Sequence, residues 1–248
     1  MQRRSRSGDA KVVGLKAAFE YTREGEEGSE VDAGHNSLHD AAYDQIRQAL
    51  INGRFKPGQT FTIRTLASVL GTSPMPVRDA LKRLVAERAL ELRPNRSVIL
   101  PYMSRARFQE ILQIRLALEP MLAARATPHI GPEQISAMAE DHETMCKAVE
   151  QRDVTTYLAA NRRFHFLLYE AASTVVMLPV VESMWMQIGP YLHEVFAAKE
   201  TGTVTADHHH IAVLRALRRQ DGAAASRAIW EDISDAADGI LKGNLFTE

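Results

Sequence analysis

The sequence predicts a mainly α-helical protein, in which an N-terminal winged helix-turn-helix precedes an all-α bundle of antiparallel helices. Three observations lead to this fold class. Residues 38–100 hold three segments with apolar residues at helical spacing, followed by an alternating segment with a central turn. Residues 101–243 hold longer helical segments and no β pattern. The charge is also unevenly distributed along the chain. Residues 38–100 have 10 basic and 5 acidic residues (net +5), and residues 101–248 have 14 basic and 19 acidic residues (net −5). This asymmetry indicates a polyanion-binding module joined to a larger acidic domain.

The composition favours a soluble globular protein. Of 248 residues, 45% are hydrophobic and 25% are charged. No apolar run reaches the roughly 18–20 residues that span a bilayer, so we expect no membrane partner. The N-terminus lacks the apolar core of a secretory signal, and the single cysteine, Cys146, excludes an internal disulfide. Both features predict a cytoplasmic location.

The first hundred residues divide into a tail and a chain of short elements. Residues 1–37 are rich in Gly, Glu, Ser and Arg, which predicts a flexible N-terminal tail, with a short helix around "KVVGLKAAFEY" as the alternative for that segment. A helix is expected from Leu38 to the Asn52-Gly53 pair. A second, short helix lies in "TIRTLASVLGTS" and ends at Gly71, where a tight turn needs a glycine.

The third helix begins in "LGTSPMPVRDALKRL". Ser73 fits the N-cap, Pro74 the first helical position, and Pro76 still lies in the first turn, where backbone N–H groups have no helical partner. The segment "ALELRPNRSVIL" then predicts a β-hairpin, or wing. In a winged helix-turn-helix, the second helix of the pair enters the major groove with its N-terminal end leading. Double-stranded DNA is therefore the predicted partner; the alternative is a small helical subdomain with a charged face.

The acidic half predicts six helices, at about 104–127, 132–151, 153–172, 176–200, 205–219 and 221–242. The natural architecture is a bundle of antiparallel helices, and a ligand site in such a bundle lies in its interior.

Two segments carry a resemblance to a known family. "GQTFTIRTLASVLGTSPMPVRDALKRLVAERALELRPNRSVIL" resembles the DNA-binding half of the GntR family of bacterial transcription regulators. "FQEILQIRLALEPMLAARA", "ANRRFHFLLYEAAS" and "HHHIAVLRALRRQDGAAASRAIWEDI" resemble the ligand-sensing FCD domain of its FadR-like branch. The resemblance implies a dimeric DNA-binding regulator, expected to be a repressor, with residues 38–100 as the DNA-binding domain and residues 101–243 as the effector-binding and dimerisation domain.

The resemblance also implies which residues contact DNA. The family's contact positions correspond to Arg64, Ser73, Met75, Arg78 and Arg96. The sequence departs from the family at Pro74, where an arginine is usual, and in the wing, where the usual glycine is missing. For Arg78 an alternative stays open, a surface ion pair with Asp79 or Glu87.

Four candidate metal ligands lie on the later helices. Asn161 and His165 are four residues apart and so share one helix face. Of the run His208–His210, His210 lies next to the apolar face of its helix, and Asp232 lies near the buried side of the last helix. The resemblance implies a divalent ion held by Asn161, His165, His210 and Asp232, with Asp232 in place of the usual histidine. Two nitrogen and two oxygen donors are compatible with zinc, manganese or nickel, and the neutral Asn161 predicts partial occupancy. The alternative is that these histidines are packed core residues.

Arg115 is the candidate residue for binding an effector. An inward arginine near a metal suits a small carboxylate, bound bidentately. The equal alternative is an ion pair with Glu119, one turn further along the same helix. The resemblance implies an organic or sugar acid as effector. We predict no enzymatic activity, because the sequence lacks HExxH, a Ser/His/Asp set and a phosphate loop; the competing hypothesis is a metal-dependent hydrolase with an appended basic module.

Overall fold

The structure of the protein is a computed structural model that describes residue 19, residues 35–94, 97–198 and 206–242, and residue 246. The chain divides into two units, Met1–Tyr102 and Met103–Glu248. The expected end of the DNA-binding domain at residue 100 lies two residues before this division.

The N-terminal unit contains three helices and a small sheet. The helices are α1 (His35–Ile51), α2 (Ile63–Leu70) and α3 (Pro74–Ala86), and the strands are β1 (Thr60–Phe61), β2 (Glu91–Leu92) and β3 (Val98–Ile99). The sheet is antiparallel in the order β1-β3-β2, with Val98 paired to both Phe61 and Leu92. Helix, helix, turn, helix, hairpin is the predicted order, so the winged helix-turn-helix is confirmed. Strand β1 was not predicted, because a strand of two residues is too short to show an alternating pattern.

The core of this unit forms between α1 and α3. Ile46 and Leu50 of α1 are buried, as are Val77 and Leu84 on the facing side of α3. Burying one such aliphatic side chain stabilises the fold by about 1.5–3 kcal/mol. The polar residues of α3 are thereby left on its outer side.

One residue of the predicted flexible tail lies in this core. Phe19 is 6% exposed, and its ring centroid lies 5.7 Å from that of Phe55, which in turn packs edge-on against Phe61. At Phe19, in the segment where a short helix was the alternative to a flexible tail, the chain is helical and the ring is packed in the core, because burial of a large aromatic ring is favourable. Helix α1 also begins three residues earlier than expected. The other predicted tail residues, before His35, lie outside the described residues.

Two glycines fix the turns of the N-terminal unit. Gly71 ends α2 with φ of 66°, a left-handed conformation that disfavours residues with a Cβ atom. Gly58 has φ of 80°, donates its N–H to the Leu100 carbonyl at 2.8 Å, and would place a Cβ atom 2.4 Å from the Tyr102 hydroxyl. Gly58 therefore requires glycine for both space and backbone, whereas Gly71 favours glycine through its backbone conformation alone.

The C-terminal unit is all-helical over its described residues. Its helices are α4 (Arg105–Ala126), α5 (Pro132–Gln151), α6 (Val154–Ala171), α7 (Met177–Ala198), α8 (Ala206–Arg218) and α9 (Gly222–Lys242). Each helix begins and ends within two residues of its predicted bounds, and the predicted fold class is confirmed.

The helices of this unit pack around a mainly apolar core that also buries a few polar side chains. Helix α4 contacts α6, α7 and α9, helix α5 contacts α6 and α8, and helix α9 contacts α7 and α8. The connection between α5 and α6 is two residues long and that between α8 and α9 three, which is typical of antiparallel neighbours. Over the described part of the chain, no helix combines the length and apolar character needed to cross a bilayer.

Candidate functional site

The N-terminal end of α3 is presented to solvent. Ser73 occupies the N-cap with extended backbone (φ −73°, ψ 161°), but its side chain makes no capping hydrogen bond. Pro74 is at the first helical position, as predicted, and Met75 is 55% exposed. The next residues, Pro76 and Val77, are buried and anchor this turn. The helix end thus offers exposed groups on a fixed support, as insertion into a DNA groove requires.

The two described candidate arginines are exposed. Arg64 lies in the first turn of α2 and Arg78 one turn into α3. Both carboxylates considered as partners of Arg78 are engaged elsewhere: Asp79 pairs with Lys82 at 3.1 Å, and Glu87 accepts the Tyr43 hydroxyl at 2.9 Å. Among residues 35–94, Arg78 makes no ion pair. Arg96, in the wing, lies outside the described residues.

Three of the four candidate metal ligands converge inside the helical unit. His165 on α6, His210 on α8 and Asp232 on α9 bring their donor atoms within 4.8 Å of one another. His165 Nε2 lies 3.3 Å from Asp232 Oδ2 and 3.4 Å from His210 Nε2, and His210 Nε2 lies 3.7 Å from Asp232 Oδ1. We call these three residues the interior cluster. Asn161 lies one turn before His165 on α6 and is half-buried.

A chain of hydrogen bonds holds the His165 ring. The Tyr169 hydroxyl donates its single proton to Glu119 Oε2 at 2.7 Å, so its oxygen accepts from His165 Nδ1 at 3.1 Å. In the neutral ring the proton then lies on Nδ1, and the lone pair of Nε2 points at His210 and Asp232. A partner of this kind on the outer ring nitrogen is the usual support of a metal-ligating histidine.

The interior cluster brings two ring nitrogens and a carboxylate close enough to share a proton or a metal ion. A neutral Nε2 facing a carboxylate at 3.3 Å puts two lone pairs together, which is unfavourable unless a proton or a metal ion lies between them. Burial by itself raises the pKa of Asp232, but a positive charge on the facing His210 or His165 outweighs burial and holds that pKa well below its usual range. Tetrahedral ligands about 2.0–2.1 Å from zinc lie about 3.4 Å apart, close to the separations seen here. The residues present therefore fit a divalent metal ion.

Arg115 is engaged by Glu119. Its Nε and Nη2 atoms both donate to the Glu119 carboxylate, and its guanidinium carbon lies 4.8 Å from the centre of the Trp185 ring. The charge of Glu119 raises the pKa of Arg115 although burial opposes this. Two alternatives were open for Arg115, binding of a carboxylate effector or an ion pair with Glu119. The structure contains the ion pair.

Sequence reasoning predicted the contact of Glu119 with Arg115 but missed two members of this network, Tyr169 and Trp185. Glu119 is 0% exposed and accepts hydrogen bonds from Arg115, from Tyr169 and, at 3.1 Å, from Trp185 Nε1. Burial and the Glu119 charge raise the pKa of Tyr169 well above its ordinary value. The spacing of four residues between His165 and Tyr169 was the available signal, because it places both side chains on one helix face. No local pattern marks Trp185 as a hydrogen-bond donor.

Comparison with known proteins yields two family matches. The model described as "Bacterial regulatory proteins, gntR family" matches residues 38–100, and the FCD domain model matches residues 110–235. The two matches fall on the two structural units.

Individual proteins resemble the chain along most of its length. The HTH-type transcriptional regulator McbR of Escherichia coli K12 is 30% identical over 189 residues, which is 75% of this chain and 85% of that protein. The gluconate operon transcriptional repressor of Bacillus subtilis is 22% identical over 204 residues, 79% of this chain and 82% of the repressor. The solved structure "E. coli McbR/YncC" superposes with a TM-score of 0.78 at 26% identity, over 83% of this chain and 97% of that one.

Proposed function

Because the chain belongs to the GntR family of bacterial regulatory proteins and its helical unit carries an FCD domain, we propose that it is a transcriptional repressor released from operator DNA by a small carboxylate. The observation that carries the DNA-binding role is the N-terminal end of α3, where Met75 and Arg78 are exposed and Arg78 makes no ion pair among the described residues. The related proteins named above are regulators, which supports a non-enzymatic role. We place its action in the cytoplasm.

Replacing Arg78 tests the DNA-binding surface. Arg78→Ala removes an exposed charge off the buried face of α3, so the fold should persist while operator affinity falls. Loss of a phosphate contact lowers the salt slope of binding by about one for every sequence, whereas loss of a base contact costs about 1–3 kcal/mol at one position. Fluorescence anisotropy over a salt series distinguishes these outcomes.

A matched control removes one positive charge from the helical unit. Lys147→Ala, on exposed Lys147, should leave operator binding unchanged. Wild-type affinity of Arg78→Ala for genomic fragments captured by the wild-type protein would contradict the assigned surface. In this proposal the DNA-binding surface also includes Arg64, Ser73 and Arg96. Arg64 and Arg96 contact phosphates.

For the effector site we propose that Asn161, His165, His210 and Asp232 hold a divalent metal ion. Mixed imidazole and oxygen donors are compatible with zinc, manganese or nickel, and the neutral Asn161 lowers occupancy. Such an ion supplies positive charge for a carboxylate in the bundle interior. The gluconate operon named for one relative supports a sugar or organic acid as the effector class.

The ion pair with Glu119 alters the part we propose for Arg115. Instead of binding the effector carboxylate directly, Arg115 acts by fixing Glu119, which holds Tyr169 and through it His165. Arg115→Lys should then weaken metal binding through a less rigid His165, since a lysine cannot make the bidentate contact.

Histidine variants test the metal and the switch separately. His165→Ala and His210→Ala should each lose bound metal, and an effector can shift the DNA equilibrium only by its differential affinity for the two states. The two substitutions should therefore reduce the release from operator by gluconate and related acids more than they reduce the affinity for DNA. His129→Ala, at an exposed residue, is the control. Full metal content and normal release in both variants would show that these histidines are ordinary core residues; loss of metal with normal release would make the ion structural.

We further propose a two-fold dimer formed through the helical unit, reading an inverted repeat, because one winged helix-turn-helix buries little DNA surface. Helix α4 carries Ile114 and the 55% exposed Met121, two turns apart and therefore on one face. Met121→Glu should give monomers by light scattering. Val175→Glu, at a 92% exposed residue between α6 and α7, should leave the dimer intact. A wild-type protein that is monomeric at micromolar concentration would contradict the proposal.

A further inference from the structure

A second group of metal-ligating side chains lies at the solvent-facing side of α8 and α9. It consists of His208 and His209 near the start of α8 and Asp235 on α9, and their donor atoms lie within 4.8 Å of one another. We call it the surface cluster. His208 and Asp235 are exposed, while His209 is buried and its Nε2 lies 2.8 Å from Asp235 Oδ2. The cluster shares no residue with the interior cluster.

The two nitrogens of His209 face two different carboxylates. Nε2 meets Asp235, and Nδ1 lies 3.8 Å from Glu231 Oε2. Glu231 and Asp235 are four residues apart on α9 and so lie on one face. The 2.8 Å contact is a hydrogen bond, whereas Nδ1 lies beyond hydrogen-bond distance of Glu231. A metal ion at this place replaces the proton between His209 Nε2 and Asp235, and the exposed Asp235 side chain can rotate to the ligand distance.

We propose that His208, His209 and Asp235 bind a second divalent transition-metal ion, of which zinc is the representative. Two imidazoles and one carboxylate are a set that zinc accepts, with water completing the coordination. The exposed side chains of His208 and Asp235 give the ion a path from solvent. Because His208 is exposed, rotation of its side chain can bring its nitrogen to the ligand distance without moving α8.

The second ion joins two helices that also carry interior donors. His209 precedes His210 directly, and Asp235 follows Asp232 by about one turn. Metal at the surface cluster therefore ties α8 to α9 beside the interior cluster. Since α6 contributes nothing to the surface cluster, its occupancy does not require His165.

Counting zinc equivalents tests the proposal. The probe is zinc alone, titrated against a chromophoric chelator into tag-free, full-length protein that has been freed of metal. We expect two equivalents in the wild type and one in each of His208→Ala and Asp235→Asn, whose side chains are exposed and whose loss leaves the fold intact. Asp238→Asn, at an exposed residue further along α9, is the matched control and should keep two.

The variants also separate this proposal from the metal site of the proposed function. His165→Ala should lose only the interior equivalent, leaving one that a further His208→Ala removes. If the wild type binds one zinc equivalent and His208→Ala binds none, the result supports the metal site at the surface cluster and refutes the one at the interior cluster. Wild-type zinc content in both His208→Ala and Asp235→Asn, or no zinc bound by the wild type, overturns the proposal.

Discussion

Removing the Tyr169 hydroxyl tests the hydrogen-bond chain that orients His165. Tyr169→Phe keeps the ring and deletes one oxygen, which donates to Glu119 at 2.7 Å and accepts from His165 at 3.1 Å. A hydrogen bond to a charged group contributes about 1.5–3 kcal/mol, and a buried Nδ1–H left without an acceptor costs about 1–3 kcal/mol. Because Arg115 and Trp185 still donate to Glu119, we expect the free energy of unfolding to fall by about 2–4 kcal/mol.

Tryptophan fluorescence is a suitable assay, because both tryptophans of the chain, Trp185 and Trp230, lie in the helical unit. Urea unfolding followed by this signal reports the free energy of that unit. Zinc affinity, measured on the same samples, should fall about 10–100-fold through loss of the ring's support. Tyr102→Phe, at an exposed tyrosine of the other unit, should change the unfolding free energy by less than about 0.5 kcal/mol.

Two results would refute this reasoning. An unfolding free energy of Tyr169→Phe within about 0.5 kcal/mol of wild type would mean that the hydroxyl bonds contribute nothing net. A lower stability with unchanged zinc affinity would mean that the chain is purely structural and does not set the direction of His165 Nε2.

Three further predictions concern the N-terminal unit. Gly71→Ala should destabilise the turn after α2 by about 1–2 kcal/mol through its left-handed backbone alone, since an added Cβ meets no atom within 4 Å, and hydrogen exchange should quicken there. Thr62→Ala should cost about 1 kcal/mol because Thr62 caps α2, whereas Ser73→Ala, which removes no capping bond, should leave exchange in α3 unchanged. Burial and the hydrogen bond to Glu87 raise the pKa of Tyr43 to about 12, so this pair stabilises the fold below pH about 10 and the contribution is lost as pH rises toward 12. Glu87→Gln should lower the phenolate midpoint in ultraviolet titration, and an unchanged midpoint would contradict the pairing.

The helices could be predicted from sequence because their signals are local. Pro74 directly after Ser73 can start a helix but not continue one, and Gly71 allows a backbone that other residues avoid. Apolar periodicity located the six helices of the bundle to within two residues. The burial of Phe19 escaped prediction because its partner Phe55 is far away in sequence.

The sequence by itself therefore determined the helices, their order and the residue types able to bind metal or DNA. Only the tertiary structure decided which of these residues meet. Glu119 accepts from Tyr169, 50 residues later, and from Trp185, 66 residues later, and these contacts leave His165 Nε2 facing His210 and Asp232. The physical reason is that the rotation of each helix about its axis is set by packing against all its neighbours. Side chains with the same local spacing can therefore end in a core, an ion pair or a metal site.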